Sequence, residues 1–237
     1  MIRKIAQKLF PRMFPSSEYI IERLKQGGAK IGKGVYIFGA SRCEIDDTRP
    51  WLLSIGDYTV ITQGVVILTH DYSLSTLRRV YGEWIGEGKE TVIGENCFLG
   101  MNSIILMGSH IGNNVIVGAG SVVHGDVPDN VLIAGNPAKV ICTLQKHYEN
   151  RVKSSPDEAK FCVHQFIERK GKKPEPKDMG GFKFLFAYRE KKYLESEGLH
   201  FFCHGDEPKE IEDAFYASTP KWNGFEEMLT ESENDYK

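Results

Sequence analysis

The chain has 237 residues, 26% of them charged and 41% hydrophobic, and a formal net charge of −2 at pH 7. This length allows one or two domains with an adequate core. The near-neutral charge gives no reason to expect nucleic acid or an acidic surface as the main partner, and no apolar run is long enough to cross a bilayer.

The chain begins with the basic, amphipathic stretch "MIRKIAQKLFPRMF". Cations interrupt its apolar residues, so it lacks the continuous apolar region of a secretion signal. We interpret it as a leading helix within a helical segment over residues 1–28, with weak interfacial membrane binding as the alternative.

The cysteines are odd in number and scattered: Cys43, Cys97, Cys142, Cys162 and Cys203. Without a secretion signal, this pattern predicts free thiols in a reducing compartment, the cytoplasm. The cluster "HFFCH", ending at Cys203 and His204, lacks further ligands at metal-site spacing, so no metal is expected.

A repeat of six residues occupies the middle of the chain. It divides residues 93–128 without a gap into "IGENCF", "LGMNSI", "ILMGSH", "IGNNVI", "VGAGSV" and "VHGDVP". The first position is always aliphatic, the second is glycine four times, and the fifth is always small or β-branched. The chance of this pattern at background composition is on the order of 10⁻⁵ per window or less. A period of six fits neither an α-helix nor a heptad coiled coil.

The same register appears upstream at Ile31, Ile37, Ile55, Ile61 and Ile67. The stretch "CEIDDTRPWLLS" between them is twelve residues long, so the phase is kept although its sequence fits poorly. The spacing from Ile67 to the next hexad is two more than a multiple of six, which predicts an external loop over residues 71–90.

Each hexad is consistent with a short strand followed by a sharp corner. The aliphatic residue points inward and stacks on its neighbours, and a small residue lets the backbone turn. Coils then bond to adjacent coils, and insertions are pushed outward.

The hexads, followed by "GDVPDNVLIAGNPAKVI", resemble the left-handed parallel β-helix acyltransferases over about residues 31–141. The segments "AGNPAKVI" and "LSIGDYTVITQGVVILTHDYS" look most like the sugar and polysaccharide O-acetyltransferase branch, which includes galactoside and maltose acetyltransferases. The resemblance implies a mainly β fold with a left-handed β-helix domain over residues 29–142.

The resemblance also implies a homotrimer that uses acetyl-CoA in clefts between neighbouring β-helices. A histidine at the base of the external loop would act as general base for an acceptor hydroxyl, with direct transfer and no covalent enzyme intermediate. An imidazole suits this step because its ordinary pKa lies near working pH. A backbone N–H in the cleft would stabilise the oxyanion.

By the same resemblance, His70 falls on the catalytic histidine, and a structural histidine is the alternative. Asp71 is a candidate to orient the imidazole, although adjacent side chains in extended backbone point apart. Asp46 and Glu44 are alternative orienting residues or ligands of the acceptor hydroxyl, or else solvated corner residues. His110 is a possible second cleft residue or a solvent-facing corner histidine.

For coenzyme A, the resemblance places Gly100 and Met101 at the pantetheine or thioester end, and Ala119 and Gly120 farther along the arm. Phe98 replaces the family's usual tryptophan and keeps an aromatic surface.

Lys139 matches a basic residue near the nucleotide phosphates, where a cation is expected. The family's common "V-T-K-D" is here Val123-His124-Gly125-Asp126, without the lysine. The alternatives are weaker phosphate binding or the use of His124 and the basic C-terminal region. Acetyl-CoA is the favoured donor, with another acyl-CoA as the alternative.

A γ-type carbonic anhydrase on the same fold is the alternative enzyme. It would require a zinc-binding histidine trio with a pair five residues apart, and position 115, which would complete such a pair with His110, is Val115.

The region after Ile141 reads as a C-terminal extension, helical or mixed, over residues 143–237. We predict a helix, a proline-punctuated connection and a second helix ending near Lys170, then an exposed "GKKPEPKDMGG". The final "TESENDYK" is expected to be disordered. The extension could cap the β-helix, cover the cleft, bind the acceptor or only pack.

The favoured hypothesis is an O-acetyltransferase acting on a sugar or polysaccharide-precursor hydroxyl. The alternatives are N-acetylation of an amino sugar and a non-catalytic trimeric scaffold. The acceptor itself cannot be identified from the sequence.

Overall fold

The computed structural model describes residues 13–200 and 203–235. The chain divides into two compact units, with the division between His147 and Tyr148. The helix predicted over residues 1–14 lies almost wholly outside the described residues. The first described helix, α1 (Ser17–Gln26), begins after Ser16, whose hydroxyl accepts a hydrogen bond from the Tyr19 N–H.

The first unit consists mainly of short strands that form three sheets, which we call faces A, B and C. Among the described residues the strands are β1 Lys30–Ile31, β2 Tyr36–Ile37, β3 Glu44–Ile45, β4 Leu53–Ile55, β5 Val60–Ile61, β6 Val66–Ile67, β7 Thr91–Ile93, β8 Phe98–Leu99, β9 Ile104–Ile105, β10 His110–Ile111, β11 Ile116–Val117, β12 Val122–Val123, β13 Asp126–Val127, β14 Val131–Gly135 and β15 Ala138–Thr143. Face A contains β1, β4, β7, β10 and β13, face B contains β2, β5, β8, β11, β14 and β15, and face C contains β3, β6, β9 and β12.

Successive strands pass from face A to face B to face C, so three strands complete one coil of a left-handed parallel β-helix. In the regular coils a residue pairs with the residue 18 positions later, as Val92 does with His110 and Ile104 with Val122. Eighteen residues are three hexads, and each hexad therefore supplies one face and one corner. The predicted fold is confirmed.

The aliphatic first positions fill the inside of the β-helix. Ile67, Leu99, Ile105 and Val117 are each 0% exposed. The coils approach closely at the corners: a Cβ added at Gly100 would lie 2.5 Å from the Val117 carbonyl oxygen. Only glycine fits that corner without displacing backbone.

Two coils depart from the regular period. The phase predicted for residues 43–54 is wrong, because Ile45 rather than Cys43 pairs with Ile67. A 3₁₀ turn at Ala40–Arg42 lengthens the preceding corner, and a second one at Pro50–Leu52 restores the phase. In the last coil His110 pairs with Asp126, only 16 residues later, so the hexad "VHGDVP" turns two residues early.

The external loop lies between β6 and β7. Strand β4 pairs directly with β7, and β6 pairs directly with β9, so the ladders continue past the loop without interruption. The loop contains a short helix, α2 (Leu74–Tyr81). At its return the Lys89 N–H donates to the Thr69 carbonyl oxygen at 3.0 Å, which fixes the base of the loop against the coil.

The second unit is helical. Its helices are α3 Leu144–Lys170, which begins in the first unit, α4 Lys191–Ser196, α5 Pro208–Ala217 and α6 Phe225–Asp235, with a 3₁₀ segment at Pro176–Leu185. Its core contains Ala159, Val163, Met179, Phe186, Trp222, Met228 and Leu229. None of the helices in the described part of the chain has the length and hydrophobicity needed to span a bilayer.

Two predictions for this region are wrong. Helix α3 continues through Pro156 instead of breaking there. Proline removes one hydrogen bond of the helix, but the burial of Ala159 and Val163 holds the following turns in place. The end of the chain is helical to Asp235 instead of disordered, because Met228 and Ser232 are buried.

Candidate active site

His70 lies at the corner between faces C and A, three residues after strand β6 and at the point where the external loop leaves the coil. Its side chain is only 14% exposed. The hexad before His70 forms the regular strand β6, and the external loop after His70 stands in place of the next regular corner. The histidine is therefore held by the rigid repeat on one side and bordered by the loop on the other.

Asp46 lies at the same corner, on the preceding coil. Ile45 pairs with Ile67, and Asp46 follows β3 by one residue whereas His70 follows β6 by three, both at the same edge of face C. The Asp46 Oδ2 atom is 2.5 Å from the Nδ1 atom of His70. The Asp46 side chain is 3% exposed, so this carboxyl group is almost completely removed from solvent.

Two threonines complete the hydrogen bonding of the Asp46 carboxylate. Its Oδ1 atom accepts from the Thr48 N–H at 2.9 Å and from the Thr48 hydroxyl at 2.7 Å. Its Oδ2 atom accepts from the Thr69 hydroxyl at 2.5 Å and from the Thr69 N–H at 3.2 Å. A buried carboxylate is tolerated when its oxygens are satisfied in this way.

These contacts decide the charge of Asp46. Burial alone would raise the pKa of the carboxyl group, but the hydrogen bonds from Thr69, Thr48 and His70 outweigh burial and hold that pKa well below its usual range. An ionised carboxylate can only accept hydrogen bonds, so the proton between Asp46 and His70 belongs to Nδ1. In the neutral ring Nε2 then carries a lone pair and can accept a proton from a substrate.

The external loop borders this pair. The Tyr72 ring packs edge-on against the imidazole, with 5.3 Å between ring centroids. Arg49 donates from Nη1 to the Glu87 carbonyl oxygen at 2.9 Å, and so joins the segment that carries Asp46 to the return of the loop. Arg23 of helix α1 forms an ion pair with Asp47 and so contacts the same segment.

The other acidic candidates lie elsewhere. The Asp71 carboxylate accepts from the Ser73 N–H at 2.8 Å, and this hydrogen bond lowers the pKa of Asp71. Among the described residues it is Asp46, and not Asp71, that contacts the His70 Nδ1 atom. Glu44 faces outward on face C and is exposed. His110 pairs with Asp126 at 3.1 Å on face A, where both side chains are exposed.

Five of the residues assigned to coenzyme A occur together on face B and at its corner with face C. The Gly120 N–H donates to the Met101 carbonyl oxygen at 2.8 Å, and the Gly100 N–H donates to the Val117 carbonyl oxygen at 2.9 Å. Ala119 is exposed in the same corner. Phe98 faces outward on face B with 43% of its surface exposed.

The remaining two assigned residues are separate from this group. Lys139 is exposed on β15, in the antiparallel hairpin that closes face B. His124 follows β12 at the corner between faces C and A, the corner that carries His70. Within one chain, the corner with His70 and the corner with Gly100 and Ala119 are opposite edges of face C.

Thr48 and Thr69 were missed by the sequence analysis. Thr69 stands directly before His70, and a hydroxyl beside a candidate base is a signal that could have been used. Thr48 stands two residues after Asp46, and its N–H donates to the Asp46 carboxylate as in an Asx turn, so this spacing was also a usable signal. In the part of the chain that the structure describes, no three His, Cys, Asp or Glu side chains are grouped closely enough to hold a metal ion.

Comparison with known proteins gives both a family model and relatives. The model described as "Hexapeptide repeat of succinyl-transferase" matches residues 90–124. Protein CapG of Staphylococcus aureus is 42% identical over 59% of this chain and 79% of its own length.

Two further relatives carry acetyltransferase names. A putative lipopolysaccharide biosynthesis O-acetyl transferase, WbbJ of Escherichia coli, is 48% identical over 52% of this chain and 66% of its own length. A putative colanic acid biosynthesis acetyltransferase of the same species, WcaF, is 33% identical over 50% of this chain and 71% of its own length. The similarity to each relative therefore covers between half and three fifths of the chain.

Proposed function

We propose that this chain, which belongs to the hexapeptide-repeat acetyltransferase family, transfers an acetyl group from acetyl-CoA to a hydroxyl of a sugar or polysaccharide precursor. The main support is the 2.5 Å contact between His70 Nδ1 and a buried, ionised Asp46 at the base of the external loop. This pairing leaves Nε2 available as a base. The names of WbbJ and WcaF support a glycan acceptor.

In the proposed mechanism His70 acts at Nε2. It takes the proton from the acceptor hydroxyl as that oxygen attacks the thioester carbonyl carbon and the new C–O bond forms. Asp46 stabilises the imidazolium that results and keeps Nδ1 protonated. When the C–S bond breaks, His70 returns the proton to the departing thiolate. The products are the O-acetylated acceptor and free coenzyme A, with no covalent enzyme intermediate.

Binding of the donor is proposed at the corner between faces B and C. The exposed residues Met101, Ala119 and Gly120 offer a surface for an extended pantetheine arm, and Gly100, in the same corner, is buried. Phe98 would supply an aromatic surface beside it. Lys139 would place a cation near the phosphates.

We also propose that the complete site needs two copies of the chain. The base and the donor corner lie at opposite edges of face C. If three copies form a ring with face C toward the axis, the His70 corner of one copy lies beside the Ala119 corner of the next.

The outward residues of the faces support this arrangement. On face C three of the four are apolar, namely Val66, Ile104 and Val122, and the fourth is Glu44. On face A they are largely polar: Lys30, Ser54, His110 and Asp126, with Val92 between them. An apolar face suits burial between copies, and a polar face suits solvent.

The test is an acceptor screen with acetyl-CoA, following release of the coenzyme A thiol. Wild type is compared with His70→Ala and, as the matched control, His110→Ala, which removes an exposed histidine with an acidic partner on face A. We expect transfer to at least one sugar hydroxyl, a loss of about 10²- to 10⁴-fold in kcat for His70→Ala, and little change for His110→Ala.

Other results would contradict the proposal. Full activity of the trimeric His70→Ala protein would exclude His70 as the base. Transfer only to an amino group, with little dependence on His70, would indicate an N-acetyltransferase. Failure to bind any acyl-CoA would indicate a scaffold.

A further inference from the structure

The Asp46 carboxylate receives four hydrogen bonds from two threonines besides its contact with His70. Thr48 contacts only Oδ1, and Thr69 contacts only Oδ2. The two threonines come from different coils, one after β3 and the other after β6. The carboxylate is therefore held at both oxygens by groups that the repeat itself positions.

These hydrogen bonds restrict the last side-chain torsion of Asp46, which sets the position of Oδ2 relative to the imidazole. The plane of an aspartate carboxylate turns easily about its last side-chain torsion, and a turn would carry Oδ2 away from His70 Nδ1. Donors on both oxygens oppose that rotation. The hydroxyl hydrogens of Thr48 and Thr69 point at the carboxylate, because an ionised carboxylate offers no hydrogen in return.

Thr48 has a second relationship with the pair. Its Oγ1 atom is 3.4 Å from His70 Nδ1 as well as 2.7 Å from Asp46 Oδ1. Since its hydrogen is directed at Asp46, Oγ1 can meet the imidazole N–H only as a second, longer acceptor beside Asp46 Oδ2. Thr48 thus contacts both members of the pair.

We propose that Thr48 and Thr69 are positioning residues for acetyl transfer, which fix Asp46 so that His70 presents Nε2 to the acceptor hydroxyl. This inference rests on the proposed function of His70 and Asp46. Neither threonine contacts substrate in this role. Both act through Asp46, and their removal should slow the chemical step more than it weakens binding of acetyl-CoA.

The experiment replaces each threonine with valine, which keeps the branched shape and the backbone N–H but removes the hydroxyl. We expect kcat to fall about 10-fold for Thr48→Val and about 10- to 100-fold for Thr69→Val, the range of one charge-assisted hydrogen bond. The KM for acetyl-CoA should change less than about threefold. Thr48→Ser and Thr69→Ser keep the hydroxyl and should retain kcat within about threefold.

Thr59→Val is the matched control. Thr59 is 0% exposed in the same β-helix, and its hydroxyl donates to the Gly94 carbonyl oxygen at 2.8 Å, outside the corner that carries His70. Thr59→Val therefore measures how much kcat changes when a buried threonine hydroxyl is removed elsewhere in the β-helix. Thermal unfolding and oligomeric state are measured for every variant, and a valine variant that fails to fold is replaced in the Asp46 cycle by the corresponding alanine variant, which also lacks the hydroxyl.

A double-mutant cycle with Asp46→Asn separates positioning from packing. If the threonines act through the charged carboxylate, Thr69→Val should lower kcat by less than about threefold in the Asp46→Asn background. An equal loss in both backgrounds would overturn the inference, as would valine variants with the same kcat as Thr59→Val. If His70→Ala keeps full activity, the proposed function fails; if His70→Ala is inactive and the threonine variants behave like the control, only the positioning role fails.

Discussion

The Nδ1 atom of His70 lies 2.5 Å from Oδ2 of Asp46, although the two residues are 24 positions apart in the chain. This separation is longer than the regular coil of 18 residues, because the chain between the two residues includes the 3₁₀ turn at Pro50–Leu52. Stacking of coils turns this long separation into contact, and the pairing of β3 with β6 fixes it.

The first prediction concerns which carboxylate orients His70. Asp46→Asn should lower kcat by about 10- to 100-fold, because the neutral amide no longer stabilises the imidazolium. Asp71→Asn should change kcat less than about threefold, since Asp71 is engaged by the Ser73 N–H. Steady-state kinetics on both variants provides the measurement. A larger loss for Asp71→Asn would assign the orienting role to Asp71.

The second prediction is a pH dependence of stability. The pKa of Asp46 is lower in the folded chain than its ordinary value of about 3.9. The unfolded chain therefore binds the proton first, and stability from Asp46 is complete above about pH 4 and is lost as pH falls toward the folded-state pKa. Thermal unfolding between pH 7 and pH 3 should show a shallower decline for Asp46→Asn than for wild type. Parallel declines would contradict this assignment.

The third prediction tests a site shared between copies. His70→Ala lacks the base and keeps the donor corner, whereas Ala119→Trp blocks the exposed donor corner and keeps the base. Each variant alone should be inactive. Mixed trimers, isolated by two different affinity tags, should recover about one third of wild-type activity, because one interface of three joins two intact halves. Inactive mixed trimers would place the whole site within one chain.

The fourth prediction compares two glycines of the donor corner. Gly100→Ala should cost roughly 3 kcal/mol or more, because its Cβ would lie 2.5 Å from a carbonyl oxygen of the next coil. Gly120→Ala should cost about 1–2 kcal/mol, since φ there is +68° but a Cβ would meet no atom within 4 Å. Thermal unfolding of both proteins is the measurement, and equal losses would show that the approach of the coils does not set the cost.

The sequence predicts the regular coils well, because each inward position is marked by its own residue type. Val117 and Leu99 are recognisable by their spacing alone, and both are fully buried. The position of Asp46 could not be obtained in this way. Its coil contains two 3₁₀ turns whose lengths are set by local backbone geometry, and spacing alone gives Cys43 the inward position that Ile45 occupies.

Helix α3 was mispredicted for a different reason. Pro156 carries a strong local signal for a break, and the opposing contribution comes from Ala159 and Val163, which pack against residues such as Trp222 and Met228 far along the chain. Such contacts leave no mark within a short sequence window. The same applies to the contact of Thr69 with Asp46, which lies 23 positions away in the chain.

The strand ladders continue past the external loop, so the sequence of the coils and the sequence of the loop can change separately. Strand pairs β4 with β7 and β6 with β9 hold the corner that carries His70, and the insertion contacts this corner through Tyr72 at its start and through Glu87 and Lys89 at its return. The segment over residues 73–86 can therefore be exchanged for one of different length or polarity while the geometry at His70 is retained. One β-helix can in this way carry external loops of different sequence beside an unchanged His70–Asp46 pair.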